Sequence, residues 1–317
     1  PGPITEGLRP KIKETAMALW WIYVAITALE ALLLWFAGLS VFEALLHAMS
    51  TMATGGFSTR ATSIASFDSP LVEWIIILFM YLAGVNFALH YAALGGRFNV
   101  FVRNGEWRVY TVALFGCSLV ITALLLPDMS GDLETALRKA SFQVLALGTG
   151  TGFGTADYDT WPVLAKVILM GLMIMGGSAG STAGGMKVSR VMVLIKCAVI
   201  ELAHTVRPHT VRVVKIGRSA VRDDVLKQIM AFAVLFFCTI GVCTLWLAAL
   251  DVELATAFAA ALTCVANVGP GFAEVGPTLN FANIPASGKL ILSLGMILGR
   301  LEFFTVLALI LPSTWRR

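Results

Sequence analysis

S-V-F-E-A-L-L-H-A-M-S-T-M-A-T-G-G-F-S-T-R, residues 40–60, decides the fold. The stretch predicts a helix of about thirteen residues, too short to cross a bilayer of roughly 30 Å, followed at once by a Thr-Gly-Gly-Phe turn. Ser40 can cap the helix, and Glu43 three residues on completes a capping-box pattern. The helix then runs into glycines, where the backbone is least encumbered and its carbonyls can point at something. A short helix and a glycine turn between two long apolar runs is the pattern of a re-entrant loop.

Working outward, residues 15–36 form an apolar run with Trp20, Trp21 and Tyr23 near its start, suited to a membrane interface. On the other side, a span is expected from Leu71 to about Leu94. Composition agrees with this. Hydrophobic residues make up 58% of the 317 residues and charged residues 13%, and the mean hydropathy is +0.83. Those values exclude an ordinary soluble domain and predict an all-α polytopic membrane protein. The chain starts at Pro1, and is expected to be the middle of a longer product.

The arrangement recurs. A span over 109–126 is followed by a short helix over 133–145 with Asp132 and Glu134 at its start, and then the turn L-G-T-G-T-G-F-G-T. A span over 225–250 is followed by a short helix over 254–265, the turn A-N-V-G-P-G-F and a closing span over 289–311. Each cycle continues through an aromatic residue to a proline that opens its second span, at Pro70, Pro162 and Pro285, and fourteen residues beyond each proline stands Gly84, Gly176 or Gly299. Three hits at one offset mark internal repeats. The units are 1–94, 95–203 and 225–317, with a basic linker over 204–224 that is expected to be cytoplasmic.

Lys and Arg are concentrated in the two ends and the linkers between cycles, which hold seventeen of the 23; the segments with the short helices hold five, and Arg300 lies inside a span. The positive-inside rule therefore predicts turns facing outward and linkers facing the cytoplasm. The outward side carries ten Asp or Glu residues, which would concentrate cations there. Aligned on their last glycine, the turns read T-G-G-F (54–57), G-T-G-F (150–153) and N-V-G-P (267–270). None carries an acidic ring or a His/Cys cluster, so backbone carbonyls are the chemistry on offer, and the short helices direct their negative C-terminal ends toward them. Glycine-rich loops packed tightly between helices are the competing reading.

The motifs H-A-M-S-T-M-A-T-G-G-F-S-T-R, G-T-G-T-G-F, N-V-G-P-G and L-A-G-V-N-F-A-L-H resemble those of the Trk/Ktr/HKT superfamily of potassium transport proteins, and within it the bacterial Trk membrane subunit. The likeness covers nearly the whole chain. It implies repeated helix–pore loop–helix units around a pseudo-fourfold pore, with three of the four repeats present here and the first one missing. It implies potassium uptake, with Gly56, Gly152 and Gly269 at the filter glycine positions and the carbonyls of Thr54, Gly55, Gly150, Thr151, Asn267 and Val268 lining the path. It also implies a bacterial inner membrane location, a homodimer within membrane lipid, and a cytosolic ring of nucleotide-binding Rossmann (RCK-type) subunits. Any ATP or NAD would be bound by that ring, since the chain has no P-loop or Rossmann fingerprint. Nucleic acid is not an expected partner.

Below the expected filter, M-G-G-S-A-G-S-T-A-G-G-M-K (175–187) interrupts a span. Gly176, Gly177, Ser178, Gly180, Gly184, Gly185 and Lys187 read as a mobile intramembrane loop, and the resemblance implies a gate there. A kink packed against its neighbours is the alternative. For Lys187 and Arg190, snorkelling to lipid headgroups is the ordinary explanation. Arg300, a charge inside a span, is expected to face the pore beneath the filter as an electrostatic barrier, with Glu302 a weak partner because it lies only two residues away. The basic stretch 204–224 could dock a cytosolic partner. Two rival functions remain: an anion channel or secondary transporter, and more remotely an intramembrane serine hydrolase, because G-G-S-A-G (176–180) matches the nucleophile pattern around Ser178. His47, His90, His204 and His209 show no ligand spacing, and the five cysteines show no C-x-x-C pairing.

Overall fold

The computed structural model describes residues 12–206, 214–216 and 219–310. Apart from a two-residue antiparallel pairing of Lys215–Ile216 with Ser219–Ala220, its regular structure is helical. Three single helices are long and apolar enough to cross a membrane: α1 (Ile12–Phe36), α6 (Gly105–Leu125) and α10 (Asp223–Ala248). Each is followed by a short helix packed along it: α2 (Val41–Met52), α7 (Leu133–Gly148) and α11 (Leu254–Ala266). Numbered in chain order, the remaining helices are α3 (Pro70–Ala83), α4 (Phe87–Leu94), α5 (Asn99–Arg103), α8 (Val163–Met175), α9 (Val188–Val206), α12 (Ala286–Leu301) and α13 (Phe303–Ile310).

Local chemistry accounts for the short helices. Ser40 caps α2, its Oγ accepting from Glu43 N at 3.2 Å and donating to Glu43 Oε2 at 2.9 Å. Those bonds to Ser40, then Arg60, hold the Glu43 carboxyl below its ordinary range. Asp132 caps α7 through Glu134 N and Thr135 N. In their C-terminal halves α7 and α11 are buried on every side: residues 140–148 of α7 and 259–266 of α11 are all buried. A helix enclosed by other helices rather than by lipid on one face has no need of an apolar stripe, and the alanines of α11 let neighbours approach closely.

The second spans differ from expectation. The run over 71–94 is not one helix: α3 ends at Ala83, and α4 leaves at 97°. The closing span starts at Ala286 rather than Lys289 and bends by 112° at Glu302; its expected end at Leu311 lies outside the described residues. All three second spans are thus interrupted, although only the middle one shows a glycine-rich break in sequence. The fourteenth-residue glycines stand at or near these interruptions, Gly84 and Gly176 directly after α3 and α8 and Gly299 in the last turn of α12, and each is a point of close approach. A Cβ on Gly84 would collide with the hydroxyl of Tyr110, one on Gly176 with the carbonyl of Gly184, and one on Gly299 with the carbonyl of Val265.

A buried ion pair braces α3 against α7. Arg138 Nη1 donates to Glu73 Oε2 at 2.6 Å and Nε to Glu134 Oε1 at 2.9 Å, with Arg138 8% exposed and Glu73 6%. Removing one partner of a buried pair leaves an uncompensated charge, a loss of about 3–5 kcal/mol. Arg138→Leu is therefore expected to lower the thermal midpoint in detergent by several degrees. Glu134→Gln, at the exposed end, is expected to cost less than about 1 kcal/mol. Equal midpoints for the two variants would contradict this account.

Candidate functional site

The three turns leave the C-termini of α2, α7 and α11 and bend the backbone into left-handed conformations. Thr54, Gly56, Gly150, Gly152, Asn267 and Gly269 all have positive φ. Their N–H groups turn back to the helix just ended: Gly55 N donates to Ser50 O at 2.8 Å, Gly152 N to Ala146 O at 2.9 Å and Val268 N to Thr263 O at 3.0 Å. Gly269 N donates to Thr263 Oγ1 at 3.1 Å, and that hydroxyl donates to Pro270 O at 3.0 Å. Among the described residues, no hydrogen bond ends on the carbonyl oxygens of Thr54, Gly55, Gly150, Thr151, Asn267 or Val268. The turns are therefore anchored by their donors and leave their acceptors free, an arrangement that can hold a cation and gives an anion little.

The turns also touch in sequence order. A Cβ on Gly56 (φ 67°) would strike the carbonyl of Thr151, and one on Gly152 (φ 79°) the carbonyl of Val268. A Cβ on Gly269 would meet nothing within 4 Å. Each of the first two glycines thus abuts the next turn's carbonyl, and the third faces open space. Tyr158, fully buried, spans the second and third units by donating to Gly271 O at 2.8 Å.

The segment 176–187 lies against the inner ends of these turns. Gly185 N donates to Ala266 O at 2.9 Å, and a Cβ on Gly184 would press on the carbonyls of Ala266 and Asn267. A Cβ on Gly150 would come within 3.3 Å of Gly184 N. Thr54 Oγ1 donates to Thr182 O at 2.9 Å, and Thr182 Oγ1 to Ala83 O at 3.2 Å. Gly176 and Gly185 pack backbone on backbone, both at positive φ. Gly177 O accepts from Val188 N, Gly180 O accepts from Phe87 N, and Ser178 N donates to Gly84 O. The segment consequently touches all three turns and the break in α3.

Beside it is a cavity of about 250 Å³ lined by Thr182, Gly184, Lys187, Arg190, Gly299 and Arg300, among others. The expected gate segment and Arg300 are brought together here. Lys187 and Arg190 do not snorkel, which corrects their reading from sequence. Lys187 bends inward and donates to the carbonyls of Ser181 and Ala183. Arg190 pairs with Glu302 at 2.7 Å and stacks 4.0 Å above the Phe232 ring. Both find better partners inside the protein than in headgroups, because the broken helices expose carbonyls and a carboxylate there. Glu302 is thus taken by Arg190, and among the described residues Arg300 has no ion-pair partner. Most of the basic stretch, residues 207–213 and 217–218, lies outside the described residues, as do 1–11 and 311–317.

Two functional-looking carboxylates escape a reading of the sequence. Glu106, in R-N-G-E-W-R, resembles one more linker charge, yet it is 8% exposed and binds the ends of the glycine-rich segment. Glu30, in the middle of α1, is fully buried with neither oxygen hydrogen-bonded; its place in an apolar run was the available signal. The two histidines with described side-chain bonds serve the frame: His47 bridges Glu43 O and Ser58 Oγ, and His90 contacts Leu82 O. His90 thus faces a carbonyl, and Ser178 Oγ is buried without a partner, so the pair a serine hydrolase would need is not assembled.

Comparison with known proteins places this architecture. The family model TrkH, described as cation transport protein, matches residues 6–315. The Trk system potassium uptake protein TrkH of Salmonella typhimurium is 38% identical over 319 residues, and that of Escherichia coli 37%. Both alignments cover 100% of this chain, which spans 66% of the length of those relatives. The crystal structure of the potassium transporter TrkH from Vibrio parahaemolyticus superposes with a TM-score of 0.90 at 36% identity, covering 98% of this chain and 67% of that one. The chain is an all-helical, polytopic membrane protein, and it belongs to the TrkH family of cation transport proteins.

Proposed function

We propose that the chain moves potassium ions across a bacterial inner membrane through a filter built from the carbonyls of Thr54, Gly55, Gly150, Thr151, Asn267 and Val268, with Gly56, Gly152 and Gly269 as its filter glycines. The observation that carries this reading is the anchoring of the turns by their N–H groups, which leaves those carbonyls free. Carbonyl rings that replace a hydration shell bind dehydrated monovalent cations. The three units 1–94, 95–203 and 225–317 each contribute one quarter of a pseudo-fourfold pore. A fourth turn fits beside the open face of Gly269, supplied by a further segment or a separate chain.

The turns face outward and the linkers inward, in keeping with the Lys and Arg distribution. The gate is the segment holding Gly176, Gly177, Ser178, Gly180, Gly184, Gly185 and Lys187, which closes the path under the filter, with Arg300 beneath as a positive barrier. The assembly is a homodimer in lipid, and the basic linker over 204–224 docks a ring of nucleotide-binding subunits; ATP or NAD acts through that ring, and potassium is the cargo. The three cations around the cavity are what an anion path would also use, and flux separates the two. In proteoliposomes containing the protein, a potassium gradient is expected to drive flux and a chloride gradient none. Flux under the chloride gradient alone would replace this reading with the anion channel.

A further inference from the structure

Glu106 stands in the first turn of α6, directly after the linker that carries α5. Its side chain is buried, and one oxygen, Oε1, accepts from Ala179 N at 2.7 Å and from Ser189 N at 3.2 Å. Those two donors lie on either side of the stretch that packs under the turns: Ala179 near its start, Ser189 in the first turn of α9 just beyond its end. A single carboxylate thus closes the segment into a loop at its neck. Among the described residues it is the one charged side chain from outside the segment that accepts hydrogen bonds from the segment's neck.

The electrostatics favour this place for an anion. Ser189 N is among the four amides that α9 cannot satisfy internally, so Glu106 caps α9 from another helix. The carboxylate also stands at the positive end of its own helix, and charge-assisted bonds are roughly twice as strong as neutral ones. The other ties from outside the segment include neutral ones, Thr54 Oγ1 to Thr182 O, Gly185 N to Ala266 O and Ser178 N to Gly84 O, while within it the Lys187 ammonium donates to the carbonyls of Ser181 and Ala183. Glu106 is therefore the charged group that ties this glycine-rich stretch from another helix, whereas the stretch's own cation, Lys187, bonds within it.

We infer that Glu106 is a positioning residue that clasps the segment 176–187 in its closed place, and that displacement of the segment for conduction breaks this clasp. The inference rests on the proposed function for its meaning in conduction, whereas the clasp itself can be tested without flux. Because α6 follows the cytoplasmic-side linker and α9 leads into the basic one, movement of either linker acts on the segment through this one carboxylate.

The test uses Glu106→Ala, Glu106→Gln and wild type, each checked for a monodisperse profile, in proteoliposomes and in inside-out membrane vesicles. Glu106→Ala is expected to raise resting potassium flux about tenfold, with the potassium-to-sodium ratio unchanged, since the turns are untouched; tenfold corresponds to about 1.4 kcal/mol. Glu106→Gln, which keeps an acceptor oxygen and loses the charge, is expected to fall between Glu106→Ala and wild type, and decides the matter if the alanine variant does not fold. In parallel, Ser181→Cys is added to each protein and its reaction with a membrane-impermeant maleimide is followed by mass spectrometry of the peptide that contains it. The labelling rate is expected to rise with loss of the clasp. Unchanged labelling in both variants overturns the inference, as does a changed ion ratio or a lower flux in a folded variant. Absence of potassium flux from wild type would instead remove the proposed function and leave the labelling result to judge the clasp.

Discussion

Gly152→Ala is expected to abolish potassium uptake while the protein still reaches the membrane. Two costs fall on the same atom. The residue sits at φ 79°, a conformation that costs an L-residue about 1–2 kcal/mol. Its new methyl group would also overlap the Val268 carbonyl and come within 2.9 Å of Pro270 Cδ, so the third turn would have to shift. Neither neighbour is a flexible side-chain end that could swing away. A carbonyl ring discriminates by the position of its oxygens, so in the proposed filter displacing the Val268 oxygen is expected to remove the function rather than tune it. Gly38→Ala is the control: φ there is 102°, but its Cβ would meet nothing within 4 Å. Growth of potassium-uptake-deficient cells on low potassium is expected to be restored by Gly38→Ala and not by Gly152→Ala. Equal growth would show that the Gly152–Val268 contact is not part of an ion path.

Arg300→Ala is expected to raise potassium flux about tenfold. Arg300 lines the cavity below the turns, and its neighbour Gly299 packs on the Val265 carbonyl at the end of α11. Two unit positive charges about 6 Å apart at an effective dielectric of about 20 repel by about 3 kcal/mol. The guanidinium is exposed, and screening by water leaves about half of that, which is about tenfold in flux. Arg190 lines the same cavity with its charge offset by Glu302, whereas Lys187, bonded to neutral loop carbonyls, keeps its charge and adds to the field of Arg300 there. Arg300→Lys is expected to stay near the wild-type rate. Single-channel or tracer-flux measurements on the three proteins check this, and an unchanged rate in Arg300→Ala would remove the barrier role.

Much of the fold was legible in the sequence because its signals are local. The cap at Ser40, the apolar length of α1, α6 and α10, the glycines after each short helix and the prolines before each second span act within a few residues of where they stand. A membrane strengthens these signals, since every backbone group must be satisfied within its own segment or its protein neighbours. Repetition strengthened them again: three glycines at one offset from three prolines all mark places where a second span packs closely on a neighbouring segment, at or within a turn of its interruption.

Tertiary structure decided what depends on partners far apart in the chain. That the 71–94 run is interrupted after Ala83, with Tyr110 and Thr149 packed against Gly84, is not visible from the apolar run itself. Lys187 and Arg190 turn inward because the carbonyls of Ser181 and Ala183 and the carboxylate of Glu302 wait there. Glu106 becomes a clasp because α6 brings it to two amides ten residues apart in the chain. The turn first seen in residues 40–60 shows the division most plainly. Sequence alone determined that it was a capped short helix ending in glycines with carbonyls to offer. Only packing decided that Gly56 stands against the Thr151 carbonyl and Gly152 against that of Val268, because steric contact between distant backbones leaves no local mark except the absence of a side chain.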